Sequence, residues 1–142
     1  MLPGTATVVQ IDDITPIPGS DKLELARVGD WYSVIETHRF VPGQLAVFIA
    51  EHSVLPQDLI AAMGAAGKLS GKQGNTVKKR ELCGCVSHGV LYPVDSGDGH
   101  PFIVLPTDDG IGAYFPVRLD MDVTAALGIQ PSSHLNHPTI PF

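Results

Sequence analysis

Glycine and proline punctuate this sequence so often, fifteen of one and twelve of the other, that short strands and turns are favoured over long helices. Ala6–Ile11 (ATVVQI) has the β-branched composition of a strand. Asp12–Asp21 (DDITPIPGSD) follows as a long turn. Lys22–Val28 and Trp31–Glu36 flank Gly29-Asp30, a two-residue hairpin signal. Leu23 and Leu25 share a face that Val28 does not, which predicts either a bulge or a strand covered on both sides. Gln44–Ala50 (QLAVFIA) reads as a buried strand. Further strands are expected near Thr76–Leu82, Gly89–Val94 and Phe102–Leu105.

Two short helices complete the pattern. Pro56–Gly64 carries a proline near its start, an acid in its first turn and a terminal glycine. In Leu119–Ile129, Asp120 or Asp122 is placed to cap a helix that Gly128 ends. Five to seven short strands at close spacing predict an all-β chain, a small closed barrel and not a βαβ sheet. At 142 residues it is expected to be one domain, residues 1–130. Residues 131–142 are polar and proline-rich, a tail or linker by composition.

No stretch reaches the roughly 18–20 apolar residues of a membrane span. No signal-peptide pattern opens the chain. Two cysteines are too few for a disulfide scaffold, so a reduced, cytoplasmic chain is expected, or a virion component if this is a phage protein. The net charge of −6 argues against a generic nucleic-acid binder. Its distribution points the other way. Between Gly64 and Arg80 lie Lys68, Lys72, Lys78, Lys79 and Arg80 with no acid, while all fifteen acids fall outside. A single basic segment on an acidic body is a local electrostatic footprint, although such lysines also serve simply to keep a loop soluble.

The run Val77–Val94 (VKKRELCGCVSHGVLYPV) holds the most chemistry-bearing residues. Cys83, Cys85 and His88 do not have the C-x-x-C spacing of a structural zinc site, and no second cysteine pair exists to complete one. On a strand Cys85 and His88 project to opposite faces, which is poor for a nucleophile and its base. Inward-packed cysteines are the plainer reading. Neither "DSGDGH" nor "TDDGIG" supplies a calcium loop, and no phosphate-binding P-loop is present. No catalytic residue, metal ligand or cofactor is therefore assigned. Lysines in a glycine-rich loop suit a phosphate backbone, and aromatics beside them stack bases. Trp31, Tyr32, Phe40 and Tyr92 are the candidates, of which one or two are expected to be exposed.

Four separated stretches resemble one family. Val8–Trp31 is similar to the opening of the OB module at the N-terminus of ATP-dependent RNA ligases. Phe40–Pro56 is similar to its next strand and Ser-x-Leu-Pro signature, here Ser53 to Pro56. Val86–Pro93 (VSHGVLYP), after Gly84, resembles its Arg-Gly-x-x-Ser-Gln-Gly-Leu stretch. Met121–Ile129 resembles the Asp-Val-Thr-x-x-Leu-Gly-Ile that closes the module. More distantly, "PGSDKLELARV" and "VSHGV" resemble tRNA-binding OB modules of synthetases. The resemblance spans Ala6 to Ile129 and implies an OB-fold-like Greek-key barrel with an RNA partner.

Some positions depart from that pattern. Cys83 stands where the ligase module has the arginine of Arg-Gly, and Glu81 stands near a usual lysine. His88 replaces the glutamine, and His52 an acid before Ser53. The strand has thus lost positive charge where the family would touch phosphate, with Lys78, Lys79 and Arg80 as the compensating cations. No lysine of the 142 residues is followed by x-Asp-Gly or x-Glu-Gly, so the motif that takes AMP in ligases is absent from this sequence.

The expected function is RNA binding by a module that is non-catalytic by itself. Its expected site is Trp31, Tyr32, Lys68, Lys72, Lys78, Lys79, Arg80, Ser87 and His88. The alternative is a structural or interaction protein reusing the barrel, such as a phage assembly component or a homo-oligomer. A ligase catalytic domain or another copy of the chain, held through the tail, is the expected protein partner.

Overall fold

A computed structural model describes residues 4–63, 69–70, 74–82, 84–95, 99–107 and 109–131. The chain opens with β1 (Ala6–Gln10) and β2 (Asp13–Pro16), two halves of one path broken at Ile11 and Asp12. Then come β3 (Leu23–Val28) and β4 (Trp31–Glu36), joined by Gly29 and Asp30. Gly29 takes φ 59° at the first central position, which suits a two-residue hairpin loop with glycine there. The β3–β4 ladder runs unbroken from Leu23↔Glu36 to Val28↔Trp31, so there is no bulge. The other expectation holds instead. Ala26 and Val28 are buried inward, while Leu23 and Leu25 are half-buried on the opposite face.

Next are β5 (Leu45–Ala50), β6 (Ser53–Val54) and α1 (Gln57–Met63). After them come β7 (Arg80–Leu82), β8 (Cys85–Ser87), β9 (Gly89–Pro93), β10 (Phe102–Leu105), β11 (Ala113–Pro116) and β12 (Gln130–Pro131). Every ladder is antiparallel. β1 pairs with β5 and β5 with β9, while β2 pairs with β3 and β3 with β4. Hydrogen bonds between β4 and residues 87–89 join the two sheets. Around the ring the order is therefore β1/β2, β3, β4, β9, β5 and back to β1, the small Greek-key barrel expected from the sequence.

Two cores share the β5 strand. Inside the barrel lie Val9, Ile11, Ala26, Val28, Ile35, Phe48 and Leu91. On the outer side of the β1–β5–β9 sheet, Val8, Val47, Ile49 and Tyr92 pack against Leu55, Leu59, Ile103 and Val123. Alternate residues of β5 thus enter different cores, and a strand buried on both faces needs a continuous apolar run. The outer core is covered by α1, the β10–β11 hairpin and the segment after it. Asp120–Val123 runs beside β1, with Val8 N–H donating to Met121 O and Val123 N–H to Ala6 O, both at 2.9 Å.

Two expected elements differ. The helix expected before Gly128 is a single turn. Asp122 Oδ1 accepts from Thr124 N–H, Gly128 N–H donates to Ala125 O and Ile129 N–H to Thr124 O. These last two bonds, with Gly128 at φ 71°, form a Schellman stop. Start and stop signals lie so close that one turn fills the space between them. The strand expected at Thr76–Leu82 is ordered as β7 only from Arg80; Asn75–Val77 instead runs along β6 through bonds to Ser53 and Leu55. Expectations about Lys68, Lys72, Cys83 and residues 132–142 fall outside the described residues. Among the described residues no helix is long and apolar enough to cross a membrane.

Candidate nucleic-acid interface

The start of β4 and the β8–β9 junction meet to form the seam of the barrel. Tyr32 N–H donates to His88 Nδ1 at 3.0 Å, and His88 N–H donates to Tyr32 O at 2.7 Å. An accepting Nδ1 places the imidazole proton on Nε2. Val34 N–H donates to Ser87 Oγ at 3.0 Å, and that hydroxyl donates to Gly89 O at 3.1 Å. Ser33 Oγ donates to the same carbonyl at 2.9 Å. Ser87 is buried, so its hydroxyl stitches the seam and does not face solvent. Gly89 is fixed by space. A Cβ there would stand 2.3 Å from Ile49 O and 2.8 Å from the Phe48 ring.

The seam gathers three rings. Trp31 meets His88 edge to face at 5.1 Å between centroids, and Tyr32 lies 6.1 Å from it at a tilt of 31°. Both are half-buried, whereas Phe40 and Tyr92 are core residues. Two of the four candidate aromatics are thus accessible. Across the β7–β8 ladder Arg80 is opposite Ser87, the residue before His88. Lys78 and Lys79 precede it, both exposed. Seven of the nine expected site residues are described: Trp31 and Tyr32 lie on β4, Arg80 lies on β7 with β8 between them, and Lys78 and Lys79 precede β7 outside any strand. The other two, Lys68 and Lys72, are outside the described residues.

Beyond Val34 and Gly89 no ladder joins β4 to β9, and a cleft of about 340 Å³ opens between them. Leu23, Val34, Met63, Leu69 and Val90 form its apolar lining. Arg39, Lys78 and Arg80 stand at it as cations, and Glu36 accepts from Arg39 at 3.0 Å. Sequence reasoning missed this cleft, because six separated stretches build it and only barrel closure brings them together.

Arg27 is held above its ordinary pKa, chiefly by its hydrogen bond to Asp13 at 2.7 Å on the exposed side of β2–β3. Burial pushes the Tyr92 hydroxyl up. Hydrogen bonds lower Asp109, from Thr107 first, and Asp122, from Thr124. Among the described residues no group of three or more histidines, cysteines and acids is placed to hold a metal.

A five-path barrel whose ladders are antiparallel, closed where β4 and β9 run side by side in the same direction, with its longest connection between β5 and β9, is an OB fold. The family model described as an OB-fold domain matches residues 5–94, and the chain belongs to that family. No curated protein matches. Among solved structures, Naegleria gruberi RNA ligase with PPi is similar at a TM-score of 0.68 and 22% identity, over 99% of this chain and 37% of that one. A mutant of the same ligase with AMP and Mn aligns at 0.67 and 24%, over 91% and 35%. At these identities the likeness is one of fold. The chain spans about a third of the length of the ligases it matches.

Proposed function

We propose that this chain binds RNA along the β4–β8 seam, as a module that makes and breaks no bond itself. The observation that supports the reading is that β8 lies between β4, whose Trp31 and Tyr32 pack on His88, and β7, which the cationic run enters at Arg80. Phosphates would lie along Lys78, Lys79 and Arg80, where charge attracts without reading sequence. Unpaired bases would stack on the accessible faces of Trp31 and Tyr32. Ser87 and His88 act as positioning residues, holding the β4 backbone under those rings. The likeness to an RNA ligase supports the choice of RNA, and a ligase catalytic domain is the partner this reading calls for.

Binding to single-stranded and nicked duplex RNA is measured across a salt series. Three phosphate contacts give a log–log slope of about −2 on a single strand, or roughly a twentyfold loss for a fourfold rise in salt. Replacing Lys78, Lys79 and Arg80 with alanine should bring that slope close to zero. An unchanged slope removes these cations from the site, and absence of binding at low salt sinks the reading.

A further inference from the structure

Two surfaces of this chain complement one another. The first is the cleft between β4 and β9, with aliphatic walls and with Arg39, Lys78 and Arg80 around them. The second is the β10–β11 hairpin. Its inner face, Ile103, Leu105 and Phe115, anchors it on the outer core. By strand alternation its outer face carries Phe102, Val104 and Tyr114. Tyr114 is 73% exposed and stacks on Phe102 at 4.7 Å, and Ile111 at the tip is 78% exposed, the largest values among the exposed large apolar residues. Ile111 and the Phe102–Tyr114 stack thus give the hairpin an apolar outer side.

The described residues of the tip are tied to one another around an acid. Asp109 Oδ1 accepts from Thr107 Oγ1 and from Ile111 N–H, and Gly112 N–H donates to Thr107 Oγ1 at 3.0 Å. Those bonds hold the Asp109 carboxyl below its usual pKa, so it remains an anion beside Ile111. A preorganised knob loses little freedom on docking. Among the described residues no hairpin residue lines the cleft.

We propose that copies of this chain associate head to tail, Ile111 of one entering the β4–β9 cleft of the next with Asp109 facing the cationic rim. Charge complementarity selects the occupant. The rim sets three cations against one acid, Glu36, which pairs with Arg39, on a chain of net charge −6, and the knob pairs an apolar side chain with a carboxylate. A cleft of about 340 Å³ is in the size range of pockets that hold compact apolar groups. Because the two patches differ, the contact is heterologous and builds rings or open chains, not a twofold dimer. This inference stands independently of RNA binding.

The test is sedimentation velocity on nuclease-treated full chain, with Ile111→Asp and the double variant Lys78→Glu/Arg80→Glu. All three positions are exposed, and circular dichroism checks the fold. Wild type should show a mass that rises with concentration beyond two copies, and each variant alone should be a monomer. Mixing the variants leaves one intact knob and one intact cleft, so a species of two copies and nothing larger should appear. A monomeric wild type, a variant that assembles like wild type, a mixture that stays monomeric, or assembly lost on nuclease treatment alone each overturns the proposal.

Discussion

Gly89 sits where the barrel has no volume to spare. Its backbone conformation is not left-handed, so an alanine would meet no torsional penalty there. The obstacle is the Ile49 carbonyl at 2.3 Å, a backbone atom that cannot swing aside. Gly89→Ala should therefore push β9 off β5 and weaken the bonds to Gly89 O from Ser33 and Ser87. We expect a loss of about 3 kcal/mol, read as a lower urea midpoint. A midpoint equal to wild type would show that the seam relaxes freely. The sequence marked Gly89, Ser87 and His88 through their resemblance to a motif, but not through their job. That job depends on Tyr32, Ser33, Val34 and Ile49, which lie some forty to fifty-six positions away. Contacts so distant in sequence leave no periodicity to read.

Elements whose cause is local were legible. The β3–β4 hairpin follows from two residues, and α1 from a proline, an acid and an apolar face. The turn before Gly128 shows the limit of such signals, since the caps were identified while the length between them set the outcome. Asp122 gives that turn a pH dependence. Hydrogen bonds from Thr124, first its side chain and then its N–H, lower the folded pKa of this carboxyl. A lowered folded pKa contributes stability above the usual carboxylate value of about 3.9, lost as pH falls through the folded value. Asp122→Asn keeps an acceptor at the cap but cannot titrate. Between about pH 7 and pH 3 the wild type should lose more stability than this variant, so that their urea midpoints converge on acidification. Parallel curves would show that Asp122 does not couple to folding.

At the scale of the whole molecule, charge is arranged so that one rim serves two surfaces. The sequence displayed the basic segment, but not that Lys78 and Arg80 stand at an apolar cleft with Arg80 opposite Ser87, since Leu23, Val34 and Met63 are brought there only by barrel closure. If phosphates and the Asp109 knob compete for the same two cations, RNA and a second copy exclude one another. Adding single-stranded RNA at low salt should then shift the assembly toward single RNA-bound copies. Raising salt should reverse the shift, because the phosphate contacts weaken steeply with salt whereas the apolar surface that the knob buries does not. Light scattering during an RNA titration, repeated along the salt series, reads both arms. Assembly that persists with RNA bound would separate the two surfaces and assign Lys78 and Arg80 to only one of them.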